Sequence, residues 1–391
     1  MRRANPLTIA RGSAATSERT TWGVGIHTVL VIGGYGFFGA RISGALAKNS
    51  AIRLLIAGRN VDSARGIAKE LGLAEDQAIR IDADNPGLGQ ELKVLGVGTV
   101  VHTAGPFQGQ DYTVARAAIN AGCHYIDLAD GRQFVAGIEV LDRAAKERGL
   151  TVTSGASSVP ALSSAVVDRY LPEFQRLESI QIGISSGARA PGLATVRGVF
   201  SYAGKPIRTL QGGSWVTQYG WRGLDRHQFP SPLGRRWLGT CEVPDLDLLP
   251  RRYPTAKTVT FQAGFASDLG HLLVWSFAGL VQGGLIKSMT PLASPLNHVS
   301  RWIEPLVSDK GGMFVTLEGI GGKGQQRRIT WNLIAQKNHG PFIPCGASIA
   351  LANKLAEGTR LPIGAMPCMG LLTVNEYLDA LKGLDVQEVV E

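Results

Sequence analysis

The run Gly33-Gly34-Tyr35-Gly36-Phe37-Phe38-Gly39 constrains this chain more than any other feature. The apolar segment His27–Ile32 precedes it and the helix-like stretch Ala40–Lys48 follows, so the order is strand, glycine turn, helix. That order seats a dinucleotide pyrophosphate on a helix N-terminus, where free backbone amides and the helix dipole favour an anion. In such a turn Gly34 makes the tight bend, Gly36 lets backbone approach phosphate, and Gly39 lets the helix pack close to the strand. Gly33, Tyr35, Phe37 and Phe38 complete the cradle. A glycine pattern alone is weak evidence; with a strand before it, a helix after it and a matching second strand, it is much stronger.

The second strand is Ile52–Ala57, followed by Gly58-Arg59-Asn60. An NAD site places Asp or Glu about 20 residues beyond the glycines, to accept from the ribose 2′-hydroxyl. Here the position holds Arg59, whose guanidinium pairs with a 2′-phosphate, so the segment predicts NADP(H). The plainer alternative is that Arg59 is a solvated residue starting a helix. Strand and helix patterns then alternate with short connections, as in a parallel sheet. Ala78–Ile81 reads as the third strand, with Asp82 and Asp84 beyond it either contacting the adenine end or capping the next helix. Gly98–Thr103 is the fourth, running into Thr103-Ala104-Gly105-Pro106-Phe107, where the nicotinamide half belongs. His124–Leu128 is the fifth, Gln133–Gly149 a helix and Leu150–Thr153 the sixth strand. The loop Ser154–Pro160 and a helix to about Tyr170 follow.

Near residue 175 the period changes. Ser179–Ile184 and Thr258–Ala263 alternate like half-buried strands, and Met313–Gly319 with Arg328–Ala335 reads as a hairpin around Gly321–Gln325. These predict a mixed or antiparallel sheet in a second domain, with no assignment for 186–256. From Ala347 the pattern is helical again. A length of 391 residues suits two domains. The net charge of +9 suits an anionic cofactor or substrate. The basic residues are scattered without aromatic interleaving, which argues against a nucleic-acid module. Four cysteines without a C-x-x-C pair give no metal motif and suit a reducing, cytoplasmic compartment. Residues 1–26 lack a signal-peptide apolar core and read as a disordered leader or a targeting segment. Leu269–Ile286 is too short and too interrupted to span a membrane, so it reads as a buried or subunit-interface helix. A homodimer is expected on that ground, with peripheral membrane contact as the alternative.

The chain resembles the saccharopine dehydrogenase-like family. The resemblance is carried by Gly34-x-Gly36-x-x-Gly39, Ala57-Gly58-Arg59-Asn60, Thr103–Phe107, His124–Leu128 and Gly155-x-x-Ser158-Val159-Pro160. The Trp331–Ala335 strand, Gly340–Pro344 and Gly364–Cys368 look like its longer bacterial members. The resemblance implies a Rossmann-type NADP(H) domain, a second α/β domain, carboxy-terminal helices returning to the first domain, and an active cleft between domains. The expected division is 1–26 leader, 27–172 cofactor domain, 173–344 substrate and dimerisation domain, and 345–391 returning helices.

The catalytic candidates are Tyr125, Asp127, Ser158 and His339. Tyr125 and Asp127 share one face of the fifth strand; Asp127 either orients a substrate amine or holds the loop. Ser157 and Ser158 either donate to a substrate oxygen or the carboxamide, or Ser158 caps the next helix. Tyr125, His102, Lys205 and His339 are candidate proton donors, and Arg197, Arg222, Arg235 and Arg236 candidate carboxylate ligands. Tyr253 and Lys257 match a Tyr-x-x-x-Lys pair, but Pro254 and the loop composition argue against a shared helix face. The expectation is NADP(H)-dependent hydride transfer on an amine/imine couple. The alternatives are reduction of a carbon–carbon double bond in a lipid or polyketide-like acyl chain, and an NADPH-binding sensor without turnover.

Overall fold

The computed structural model describes residues 26–187, 192–296, 298 and 307–391; all of the expected leader except Ile26 lies outside these. The first half is built from β1 (His27–Ile32), α1 (Gly39–Leu46), β2 (Ile52–Gly58), α2 (Val61–Glu70), β3 (Ala78–Arg80), α3 (Leu88–Val94), β4 (Thr99–His102), α4 (Thr113–Ala121), β5 (His124–Asp127), α5 (Arg132–Ala136), α6 (Asp142–Glu147), β6 (Thr151–Ser154) and α7 (Ser163–Tyr170). Val29, Leu30, Val31 and Ile32 are all essentially without solvent contact, as in a parallel strand covered on both faces. The long helix expected over Gln133–Gly149 is broken into α5, a short 3-10 turn and α6.

The second half contains β7 (Phe174–Ser185), α8 (Leu193–Tyr202), β8 (Pro206–Gln211), β9 (Ser214–Tyr219), β10 (Asp225–Gln228), β11 (Arg235–Thr240), α9 (Asp245–Arg252), β12 (Thr258–Gly264), α10 (Asp268–Gln282), β13 (Gly311–Gly321), β14 (Gln326–Ala335), α11 (Gly346–Ala356), β15 (Gly364–Pro367), α12 (Val374–Asp379) and β16 (Val386–Val390).

The first sheet runs β15-β6-β5-β4-β1-β2-β3, with every pair parallel. From β1 the chain steps to β2 on one side and later to β4 on the other. The carboxyl ends of β1 and β4 therefore border the crevice where the strand order reverses. The second sheet runs β10-β11-β12-β7-β13-β14-β16, with the β8–β9 hairpin attached to β12. It is mixed, because β12 pairs parallel with β7 whereas β13, β14 and β16 pair antiparallel. The chain is thus an α/β protein with a Rossmann-type sheet and a second, mixed sheet. The unassigned segment 186–256 supplies α8, four strands and α9.

The carboxy-terminal segment does more than return helices. Helix α11 packs against α1, tied by Asn49 Nδ2 donating to Asn353 Oδ1 at 2.9 Å. Beyond it, β15 extends the first sheet beside β6 and β16 extends the second beside β14. Helix α10 is only partly buried within the chain. Only His271, Val274 and Ala278 are buried, while Leu269 and Leu273 are 69% and 48% exposed. No helix among the described residues is long and apolar enough to cross a membrane.

The two sheets are joined through a buried ion pair. Arg132, 7% exposed, sends Nε and Nη2 to Asp247 at 2.7 and 2.5 Å, and Nη1 to the carbonyl of Arg208 at 2.9 Å. Arg132→Ala should lower unfolding stability by about 3 kcal/mol, the lower end for a broken buried pair, because Asp247 keeps some solvent. Denaturant titration reads this directly; a loss under about 0.5 kcal/mol would show that the pair does not tie the halves together.

Candidate active site

The glycine turn follows from backbone sterics. Gly33 has φ +79°, and a Cβ there would stand 2.8 Å from Thr103 Oγ1. The left-handed position of the turn is therefore Gly33. Gly34 is instead excluded from carrying a side chain by Val31 O at 2.9 Å. A Cβ on Gly39 would lie 2.1 Å from Gly33 O, so only glycine lets α1 start against the end of β1. Among the described residues, the amides of Phe37, Phe38 and Gly39 have no backbone acceptor. This is an open, donor-rich cradle, and it fits a pyrophosphate.

A cleft of about 840 Å³ extends from this cradle in both directions. At one end are Tyr35, Gly58, Arg59, Asp82 and Asp84. The Tyr35 ring lies where a Cβ on Gly58 would sit, and its hydroxyl accepts from Asn60 N at 3.1 Å. Asn60 caps α2, its Oδ1 accepting from Asp62 N and Ser63 N. Arg59 is exposed on the cleft wall, whereas its neighbours Arg53 and Arg65 are engaged by Asp76 and by Asp62 and Glu75. Asp82 does not cap a helix: its Oδ1 accepts from Asp84 N at 3.2 Å, and α3 begins only at Leu88.

At the other end the wall is His102, Thr103, Ala104 and Gly105, with Gly192–Thr195 of the second half closing over the cradle. Thr103 Oγ1 donates to Ile32 O at 2.9 Å, locking β4 to β1. The Gly105–Pro106 peptide is cis, and Gln110 Nε2 donates to the carbonyls of Ala104 and Pro106.

Tyr125 and Asp127 are fully buried behind this wall. Asp127 Oδ1 accepts from Ala129 N, Ser154 Oγ and Gly155 N, each at 2.9 Å, which fastens the ends of β5 and β6 together. Its Oδ2 makes no hydrogen bond of good geometry, though Tyr125 lies near enough for each group to influence the other's ionisation. The Tyr125 hydroxyl meets His102 Nδ1 at 3.0 Å. His102 is therefore the member of this column that reaches the cleft. Burial pushes its pKa down to about 4, so it is neutral at pH 7, and its Nε2 has no partner.

Ser158 lines a second, adjoining cavity of about 210 Å³. It caps nothing, since α7 starts without a side-chain cap. His339 is not brought to either cavity wall: its Nδ1 accepts from Asp385 N at 2.8 Å, fixing a turn. Of the candidate arginines, Arg222 stacks on Trp275 at 4.1 Å and bonds Gln282. Tyr253 donates to Asp168 at 2.7 Å, away from Lys257. Among the described residues no cluster suited to a metal ion is found.

Two groups escaped the sequence reading. Asp130, four residues beyond Ile126, accepts from Gln108 Nε2 at 3.0 Å, and burial raises its pKa. Gln108 in turn lies against Gly198 of α8, where a Cβ would be 2.8 Å from its Oε1. The acid thus stands where the loops after β4 and β5 meet the second half. The run Asp127-Leu128-Ala129-Asp130-Gly131, a second acid just past a strand end, was the available signal.

Fold and cradle together define a two-domain dinucleotide-binding protein of the α/β class. Residues 29–159 match the model of the saccharopine dehydrogenase NADP binding domain. The first sheet and its cradle are thus an NADP binding domain of the saccharopine dehydrogenase type, and the cofactor is NADP(H). Apo saccharopine dehydrogenase (L-Glu forming) from Saccharomyces cerevisiae superposes with a TM-score of 0.64 at 14% identity, covering 93% of this chain and 100% of that one. An amine dehydrogenase from Mycobacterium smegmatis superposes with a TM-score of 0.50 at 11% identity, covering 90% and 95%. These likenesses are of fold. A search of curated proteins by sequence gives no match.

Burial raises Asp127 from 3.8 to about 6. Its folded pKa lies above its unfolded one, so the stability it contributes is present at low pH and lost as pH rises from about 4 to 6. Asp127→Asn keeps the Oδ1 acceptor but cannot ionise. Relative to the parent it should gain about 3 kcal/mol between pH 4 and pH 7, measured by urea unfolding at both values. A constant difference between the two proteins would contradict the assignment.

Proposed function

We propose that this protein is an NADP(H)-dependent oxidoreductase acting on a carbon–nitrogen bond, interconverting an amine and its imine. The observation that carries the proposal is Asp130. A largely buried carboxylate at the junction of the β4 and β5 loops with α8 favours a substrate bearing a positive charge, as an ammonium or iminium does. It offers nothing to a neutral acyl chain. Bound NADPH supplies the hydride. The chain's own residues hold and orient: Gln108 fixes Asp130, Tyr125 fixes His102, Asp127 holds the ends of β5 and β6 together, and Asp130 stabilises the nitrogen's proton. The amine dehydrogenase among the fold neighbours is in keeping with this reading.

Arg59 is assigned the cofactor's 2′-phosphate, because it lies on the cleft wall beside Tyr35 and forms no ion pair among the described residues. A second reading, reduction of a carbon–carbon double bond in a lipid-like acyl chain, draws on the exposed leucines of α10 as a landing surface for lipid.

Arg59→Ala should raise the NADPH Kd about 10- to 100-fold, the worth of a lost charge-assisted hydrogen bond, and change NADH little. Fluorescence titration with both nucleotides decides it, and equal weakening would remove the role. Asp130→Asn should lower kcat/KM for imine reduction at least about tenfold with NADPH affinity intact. Turnover of enoyl thioesters but not imines would replace the leading reading with the second.

A further inference from the structure

The second cavity, about 210 Å³, shares Phe37, Phe38 and Thr195 with the cofactor cleft, so whatever fills it sits beside the bound dinucleotide. Its walls come from both halves of the protein: the aromatic pair after the glycine turn, the carboxyl end of β7, the start of β13 and the 338–344 loop. Ile184, Met313, Pro341 and Ile343 make it predominantly apolar. Among the described residues no lysine, arginine or histidine lines it, and the one charged wall residue is an acid, Asp309. A carboxylate placed there would lose its water without gaining a counter-charge and would face a like charge, which is strongly unfavourable. The site is nevertheless not inert. Ser185, at the end of β7, is 1% exposed, and its Oγ makes no hydrogen bond among the described residues. A buried hydroxyl without a partner costs stability unless a ligand group completes it.

We propose that this cavity seats an uncharged apolar substituent of the substrate, an alkyl or aryl group, with Ser185 making one hydrogen bond to a neutral polar atom on it. The proposal rests on the amine/imine reading for the identity of the reacting bond, but not for the binding itself. It implies that dicarboxylated substrates are rejected. Among the described residues the only lysine or arginine on either cavity wall is Arg59, at the opposite end of the cleft, and Arg222 is engaged elsewhere. The selecting force is the hydrophobic effect, in a pocket where carboxylate-binding arginines would otherwise be required.

The test uses two ligands with the same ring and different charge, cyclohexanol and cyclohexanecarboxylate, titrated calorimetrically into the NADPH-saturated protein. Cyclohexanol should bind at least about tenfold more tightly, about 1.4 kcal/mol. Ile184→Phe, which fills the cavity, should abolish its binding while leaving the NADPH Kd unchanged. Ser185→Ala should weaken cyclohexanol severalfold and needs no repacking, so it decides the matter if Ile184→Phe fails to fold. Equal binding of the carboxylate, or cyclohexanol binding indifferent to Ser185→Ala, would overturn the proposal. The readout does not involve turnover. A protein that binds cyclohexanol as expected yet reduces no imine would leave the cavity assignment standing and remove the amine/imine reading.

Discussion

The carbonyl of Gly33 occupies the space a side chain on residue 39 would need. That contact sets the distance between the end of β1 and the start of α1, and the arrangement of the cofactor region follows from it. Because α1 begins so close, the amides of Phe37 to Gly39 are left without backbone acceptors at the mouth of the crevice. Because Gly33 turns through a left-handed conformation, Thr103 can approach and bind the Ile32 carbonyl, so β4 is held beside β1. The two strands that flank the reversal of strand order are thereby fixed by glycine geometry rather than by side-chain packing.

Behind that cradle the polar groups form a graded series. Asp127 is saturated on one oxygen and is structural; Tyr125 connects it to His102; His102 alone meets the cleft. Residues chosen for reactivity thus serve to position a neighbour, and the group that faces ligand is a neutral imidazole. Asp130, three residues on, is differently placed. It is bound to one glutamine, which in turn lies against Gly198 of the second half, and it lines neither of the two cavities.

Much of this was legible in the sequence, and the reasons are local. Strand β1, its turn and α1 announce themselves because burial on both faces, glycine spacing and helix period lie within about twenty residues. The change of period near residue 175 marked the second sheet for the same reason. What was hidden depends on distant partners. Strand β15 is only Gly364–Pro367, and β16 is five residues of weak alternation, so neither has a signature until an edge is waiting for it. His339 lies away from both cavity walls, its Nδ1 taken by the backbone of Asp385, 46 residues away. Ser185 looked like an ordinary strand end; its missing hydrogen-bond partner is a property of the folded cavity. Helix α10 read as buried or as a subunit interface because its composition is apolar; within the chain only His271, Val274 and Ala278 of it are buried.

The placement of β15 and β16 has a consequence for motion. The chain passes from the first sheet to the second after β6, back after β14, and across again after β15. Three covalent crossings span the boundary on which the cleft lies. A lid hung on one flexible joint is thereby ruled out: any widening that admits nucleotide must bend all three connections together, or slide the sheets past one another. Each sheet also draws an edge strand from residues 364–390, so during synthesis both remain unfinished until that stretch emerges. The two sheets are thereby coupled through one short stretch of chain.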